Sequence, residues 1–308
     1  TYIYMAIRRP DGYVGKPPSL GTDVFAMGTS TGNSGDDIDS GFPVDFGFAK
    51  RTATAEGWYT SARLIEGQHL YTDTNAAEAA NSYFPFDNNV GWTKSLNAGY
   101  QAWMWKRHAG FDVVTVISAS TGDQIPHSLG RTPEMIWGKN RDNTGAWSVY
   151  HKGLNGGTNP EQYRLILNDT DAEASNTGSW NDVAPTTTHF TGGANWTGQN
   201  PIFMLFASVD GISKVGSYSG SDSSQTITLG FQPRFIIIKN IDDTRNWQVL
   251  DTTRGWGSGN DCRLFIDITE SEICTSDVGA PTSTGFTLTG GNQRWSIAGD
   301  TYVYYAHA

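Results

Sequence analysis

The chain has only two cysteines, Cys262 and Cys274, among 308 residues. Two in this length is not a disulfide-dense secreted pattern, so they read as ordinary reduced thiols, although paired strands there could bring them into a bond. Long hydrophobic runs are also missing. The longest, such as residues 202–207, span about six residues, far short of the about 20 that cross a bilayer as a helix. Charge is sparse and its balance is acidic: 21 Lys and Arg against 31 Asp and Glu give a net charge of −10. That argues against nucleic acid, which wants clustered cations, and suits solubility at high local concentration. The six histidines (His69, His108, His127, His151, His189, His307) are scattered, with none at metal-ligand spacing. No GxSxG elbow, HExxH helix or phosphate-cradling glycine loop occurs. Two acidic loops, Asp36/Asp37/Asp39 and Asp169/Asp171/Glu173, could offer oxygen ligands to calcium, but neither has the twelve-residue loop pattern and both read as solvated turns. We therefore expect no enzymatic activity, no cofactor and no resident metal. A paired-carboxylate glycosidase is the alternative that leaves no mark in sequence, because its acids meet only in the fold.

What the chain does have is repetition. Gly41, Gly130 and Gly230 are each followed nine residues later by a lysine (Lys50, Lys139, Lys239) and eight after that by a tryptophan (Trp58, Trp147, Trp247). A register kept through sequences this different marks an internal repeat of domain size. Leu70, Leu165 and Leu264 precede Glu78, Glu173 and Glu272 by the same eight residues, and each copy closes on an aromatic or apolar run at 100–105, 202–206 and 302–305. The 36 glycines and abundant Thr, Ser and Asn suit turn-rich β structure. In each copy large apolar residues stand two apart (Phe46 and Phe48, Met135 and Trp137, Phe235 and Ile237), and Pro43, Pro133 and Pro233 sit where a strand would begin. Seven mostly polar residues then separate lysine from tryptophan, a hairpin loop with the tryptophan opening the return strand. Further strands are expected at 113–116, 163–167 and 286–288, giving an all-β fold of tandem β-sandwich modules.

The expected organisation is three repeats, 22–110, 111–212 and 213–308, after a linker at 13–21. Residues 1–12 are expected to be the closing strand of a preceding repeat, since Thr1-Tyr-Ile-Tyr-Met-Ala6 echoes Thr301-Tyr-Val-Tyr-Tyr-Ala306. On that reading the chain is the C-terminal part of a longer polypeptide. The recurring tryptophans are assigned to the core. The recurring lysine has two readings, a stem lying along the strand-mate tryptophan with a cation–π contact, or an ammonium pointing into solvent. Trp180, Trp196, Trp256 and Trp295 are not held at one position in all repeats and sit among small polar residues. Their rings are candidates for stacking on a sugar or anchoring a protein contact, against the alternative of folding back over their own core.

Several strings carry a resemblance: Ile125-Pro-His-Ser-Leu-Gly130, Pro133-Glu-Met-Ile-Trp-Gly-Lys-Asn140, Trp147-Ser-Val-Tyr-His-Lys152, Trp180-Asn-Asp-Val-Ala-Pro-Thr186, and Val209-Asp-Gly-Ile-Ser-Lys-Val-Gly-Ser-Tyr-Ser-Gly220. The chain resembles a repeated domain of unknown function in virion and tail proteins of marine bacteriophages. The likeness is direct over 111–308 and rests on the spaced landmarks over 22–110, where Phe84-Pro-Phe-Asp87 replaces the Pro-Thr string of the later copies. It implies a phage particle, in its tail or a fibre, and no catalytic or ligand residues come with it. The expected function is non-enzymatic, structural or adhesive, with other virion proteins as partners and a host-surface glycan or receptor as the adhesive target. A purely structural spacer is the alternative. No membrane insertion is expected, and a homotrimer would protect exposed strand edges.

Overall fold

A computed structural model describes residues 18–32, 38–81, 84–92 and 97–308. The proposed strand at 1–12, the linker up to residue 17, and Asp36 and Asp37 lie outside these. The fold is all-β, built from several antiparallel sheets. Three are six-stranded, drawn respectively from 25–105, 111–206 and 213–307, and they share one strand order. In sheet one the opening strand Phe25–Thr29 pairs with the closing strand Tyr100–Trp105. The closing strand pairs in turn with Phe46–Arg51, followed by Tyr59–Ala62, Gln68–Tyr71 and Ala79–Ala80. Sheet two repeats this with Phe111–Thr115, Pro201–Phe206, Met135–Asn140, Ser148–His151, Tyr163–Ile166 and Ala174–Ser175. Sheet three uses Ser213–Ser219, Thr301–His307, Phe235–Asn240, Gln248–Asp251, Asp261–Phe265 and Ile273–Ser276.

The two central strands of each sheet are apolar on both faces, and the alternation sorts residues between two layers. Phe46, Phe48, Trp103 and Trp105, then Met135, Trp137, Met204 and Phe206, then Phe235, Ile237, Val303 and Tyr305 face inward into one shared core. Rings from all three sheets meet there: Phe48 lies 6.5 Å from Trp137 and 6.3 Å from Phe235, and Phe206 lies 4.8 Å from Tyr305. The intervening residues face outward into three separate clusters, each roofed by a small sheet. The roofs are Ile38–Asp39 with Gly91–Trp92, Gln124–Pro126 with His189–Thr191, and Gln225–Thr228 with Gly285–Leu288 and Pro281–Thr282. Each six-stranded sheet is thus one wall of a sandwich, and the three walls stand back to back.

The recurring landmarks are the joints of this arrangement. Trp58, Trp147 and Trp247 are buried in the shared core, each removing enough surface to be worth about 4–6 kcal/mol. Each indole N–H reaches a neighbouring sheet: Trp147 donates to the Tyr71 carbonyl of sheet one (2.8 Å), Trp247 to Ile166 of sheet two (2.9 Å), and Trp58 to Phe265 of sheet three (2.7 Å). The ring of contacts closes. Glu78, Glu173 and Glu272 close it a second time through their backbone N–H groups, on the carbonyls of Arg141, Ile241 and Thr52. Gly41, Gly130 and Gly230 have φ of +75°, +72° and +93° with open space where a Cβ would stand, so the conformation alone selects glycine.

Both readings of the recurring lysine are corrected. Lys50, Lys139 and Lys239 are 0% exposed, and every cation over a ring among the described residues is an arginine. The ammonium groups instead cap backbone carbonyls, because the strand delivers Nζ under the hairpin loop. Lys50 donates to Thr54 (2.9 Å) and across the joint to Thr269 (3.0 Å). Lys239 donates to Thr170 of sheet two (3.1 Å), and Lys139 to Asn140 (2.7 Å). Burial pushes all three down to about 8. The reading of the cysteines as thiols is also corrected. Cys262 and Cys274 lie on the neighbouring strands Asp261–Phe265 and Ile273–Ser276, and they form a disulfide.

Candidate functional site

The four tryptophans singled out as ligand-binding, Trp180, Trp196, Trp256 and Trp295, are 2%, 2%, 4% and 2% exposed. They fold back over their own outer clusters, Trp180 and Trp196 over sheet two and Trp256 and Trp295 over sheet three. Trp196 donates its indole N–H to the Ser179 carbonyl at 2.7 Å, and Trp295 donates to that of Thr289 at 3.0 Å. These buried rings present no open flat face for a sugar, although Trp196 is among the residues that line the pocket described next. The acidic turns are likewise tied down locally. Asp39 accepts the Gly41 N–H, Glu173 accepts that of Asn155, and Asp169 accepts that of Thr170. The one cluster among the described residues with metal-type ligands is Cys262, Glu272 and Cys274, and its two sulfurs are consumed by the disulfide.

What sequence reading missed lies beside Trp196, at the outer corner of sheet two. The hairpin loop after Lys139 and the loop before the closing strand enclose a pocket of about 560 Å³, within the range of small-molecule sites. Asn140, Asn143, Asn195, Gln199, Ser148, Thr144 and Arg164 supply its polar side chains, and among the described residues no carboxylate lines it. Gln199 Oε1 accepts from Asn140 Nδ2 at 2.7 Å and from Asn143 Nδ2 at 3.2 Å, so the two loops brace each other through the amides. Asn195 Nδ2 donates to Ser179 Oγ at 3.1 Å. These bonds fix the side chains while leaving amide capacity over: an amide offers two donors and two acceptor lone pairs.

The floor is the outer face of the sheet. Gly138 pairs with Ser148, and Arg164 lies one strand further on. A Cβ on Gly138 would stand 2.9 Å from Trp196, so glycine here lets the ring sink onto the sheet. Ser148 is too short to fill the space above it. Among the described residues Arg164 makes a single weak bond, Nη1 to Ser148 Oγ at 3.4 Å, and no ion pair. Partial burial pushes its guanidinium below the usual arginine range, with no neighbouring charge to offset it.

The same positions in sheet three are closed. Ile238, Gln248 and Arg263 stand where Gly138, Ser148 and Arg164 stand. Gln248 Oε1 accepts from Arg263 Nη1 at 3.1 Å, and the guanidinium carbon lies 4.9 Å from the Trp295 ring centroid. In sheet one Ala49, Tyr59 and His69 hold these places, with the Tyr59 and His69 rings 5.5 Å apart. The signal available in sequence was the triplet itself. Aligned on the recurring lysine and leucine, the small pair glycine and serine occurs only in the second copy.

With this geometry in place, one comparison decides the relationship: the sequence model of a domain of unknown function, DUF7483, matches residues 22–308. The chain belongs to that family. The DUF7483 match runs unbroken through all three six-stranded sheets, as the shared core does. No curated protein matches the chain.

Proposed function

We propose that this DUF7483 chain is a non-enzymatic part of a bacteriophage virion, in its tail or a fibre, with an adhesive role toward a host-surface glycan. The observation that carries the adhesive part is the sheet-two pocket: amides from two loops, held on strands whose opposite face is locked into the shared core. Paired donors and acceptors on a rigid frame suit the neighbouring hydroxyls of a sugar. The virion context is supported by the sequence strings at 125–152, 180–186 and 209–220.

The test is binding of the labelled, folded chain to intact cells of a panel of bacterial strains. Selective binding is expected, weakened at least about tenfold in the double variant Asn143→Ala/Gln199→Ala, with the chain still folded by circular dichroism. Equal binding to all strains, or an unaffected double variant, would count against the reading. Release of reducing ends from cell-surface polysaccharide would replace it with an enzymatic one. The closed ring of indole and glutamate joints favours a second reading, a rigid assembly unit of the virion with neighbouring virion proteins as its partners. That reading predicts no cell binding and a solution-scattering profile matching one rigid body; a profile of loosely jointed beads would remove it.

A further inference from the structure

The chain carries a net charge of −10, and the charged side chains of the loop after Lys139 that flank the pocket are already engaged, Arg141 by an ion pair and Asp142 by hydrogen bonds. Arg141 is held by both carboxylate oxygens of Glu78 at 2.7 and 3.0 Å, and Asp142 accepts from the Asn200 backbone and side chain. Arg164 is different. It is half-buried at the floor of a solvent-open pocket, its only bond among the described residues is the weak one to Ser148, and every other polar group lining the space is a neutral amide, hydroxyl or backbone group. A guanidinium has five donors in a planar fork that matches a carboxylate or sulfate with two parallel bonds. In sheet three the equivalent Arg263 is buried and held from within by Gln248 on Nη1 and by the Trp295 ring, so an arginine open to solvent is not a requirement of the fold.

We propose that the sheet-two pocket binds an anionic saccharide, with Arg164 clamping a ring carboxylate or sulfate and Asn140, Asn143, Asn195 and Gln199 reading the adjacent hydroxyls. The anion comes from Arg164. The sugar comes from the four amides, which offer donors and acceptors side by side around a floor too polar for an apolar ligand. This deepens the glycan-binding reading and rests on it.

The experiment is calorimetric titration of the intact chain with four oligosaccharide or control probes. These are an oligogalacturonate, a sulfated galactose oligomer, a neutral galactose oligomer of equal length, and a short glutamate-rich peptide; free acetate and sulfate serve as competitors. One or both acidic oligosaccharides are expected to bind at least about tenfold more tightly than the neutral one. Arg164→Ala should lose about 10- to 100-fold, the worth of a charge-assisted pair. Ser148→Gln, which copies the residue of sheet three, should give a comparable loss by occupying the guanidinium, with the chain still folded and its melting midpoint only slightly lowered by the lost Ser179 bond. That second variant keeps the test decisive if Arg164→Ala fails to fold. Equal binding of the neutral oligomer, or acidic binding that ignores both substitutions, overturns the anionic assignment and leaves the glycan reading standing. Peptide, acetate or sulfate binding as tight as the oligosaccharides overturns the saccharide assignment. Failure of every oligosaccharide removes this inference, while selective cell binding by the same chain would leave the adhesive reading standing.

Discussion

The inner faces of the three sheets and their outer corners are made by the same strands but obey different constraints. Inward, each sheet must fit two others at once, and the residues that do so recur: an indole donating across the joint, a lysine capping carbonyls, a glutamate backbone closing the ring. Outward, each sheet meets only its own roof, and the residues differ freely. Sheet three fills its corner with Ile238, Gln248 and Arg263, while sheet two leaves its corner open over Gly138, Ser148 and Arg164. Repetition therefore marks what holds the molecule together, and departure from repetition marks where a ligand can be met.

The comparison breaks most visibly at the inner joints. Trp147→Ala removes a fully buried ring and leaves the Tyr71 carbonyl without its donor. A loss of about 3–5 kcal/mol is expected from the cavity alone. Because rings of all three sheets share that core, urea unfolding should remain one transition at a lower midpoint, followed by tryptophan fluorescence and far-UV circular dichroism together. Two separated transitions would mean that the sheets unfold as independent modules, and the inner–outer distinction would fail.

Acid is the next largest effect and also acts at the joints. His151 links sheet two to the closing strand of sheet three: its Nδ1 accepts from the Gly153 N–H, and its Nε2 lies 3.3 Å from the Tyr304 carbonyl. Burial pushes His151 down to about 4 and His307 down to about 3, with His108 beside His307 shifted the same way. Since the unfolded chain takes up protons first, near pH 6.5, each of these histidines removes stability as pH falls from about 6.5 toward 4, by about 1.4 kcal/mol per pH unit. Asp267 opposes them. Burial pushes its carboxyl up to about 7, so it binds a proton in the fold before it would unfolded and adds stability as pH falls from about 7 to 3.8. A net loss of about 1–3 kcal/mol per pH unit is expected between pH 6 and 5. Asp267→Asn should steepen it, because sheet two already uses Asn168 to accept the Trp147 N–H in the same place. Denaturation midpoints across pH for the two proteins check this, and parallel curves would show that Asp267 stays ionised in the fold.

The recurring triplet, the alternation around it and the apolar closing runs made most of the sheet structure legible in sequence. The closing strand of sheet one runs over the expected residues, and the strands at 113–116 and 163–167 differ at their ends by a residue or two. What sequence could not reveal was the direction of the lysines. A fully buried ammonium is rare by composition, and only the hairpin loop curling over it supplies carbonyls. Nor could it reveal that the inner faces meet in one core, since a strand apolar on both sides reads the same whether its second partner is its own roof or another sheet. The loop tryptophans misled because small polar neighbours suggest exposure, whereas here they are the tight turns that let a large ring fold inward. The pocket escaped because asparagine and glutamine in loops are common, and Arg164 stands out only beside Arg263.

The smallest expected effect sharpens the comparison most. Exchanging the corner residues reciprocally, Ser148→Gln in sheet two and Gln248→Ser in sheet three, tests whether the two corners differ in kind or only in detail. In sheet three the exchange takes away the oxygen on Arg263 Nη1 while the guanidinium stays buried, and Arg263 Nε already has no partner. A stranded buried charge of this kind costs about 1–3 kcal/mol. In sheet two Ser148 is buried but borders the pocket, so the longer side chain has the pocket to enter and gives up the bond from Ser179 Oγ; the loss should be smaller, about 0.5–1 kcal/mol. Urea midpoints of the two single variants, read on the same day against the parent, decide it. Unequal costs in that order mean that sheet three is stabilised through its corner and sheet two is not. Equal costs would mean that Ser148 and Arg164 already support the fold, leaving the open corner without a separate role.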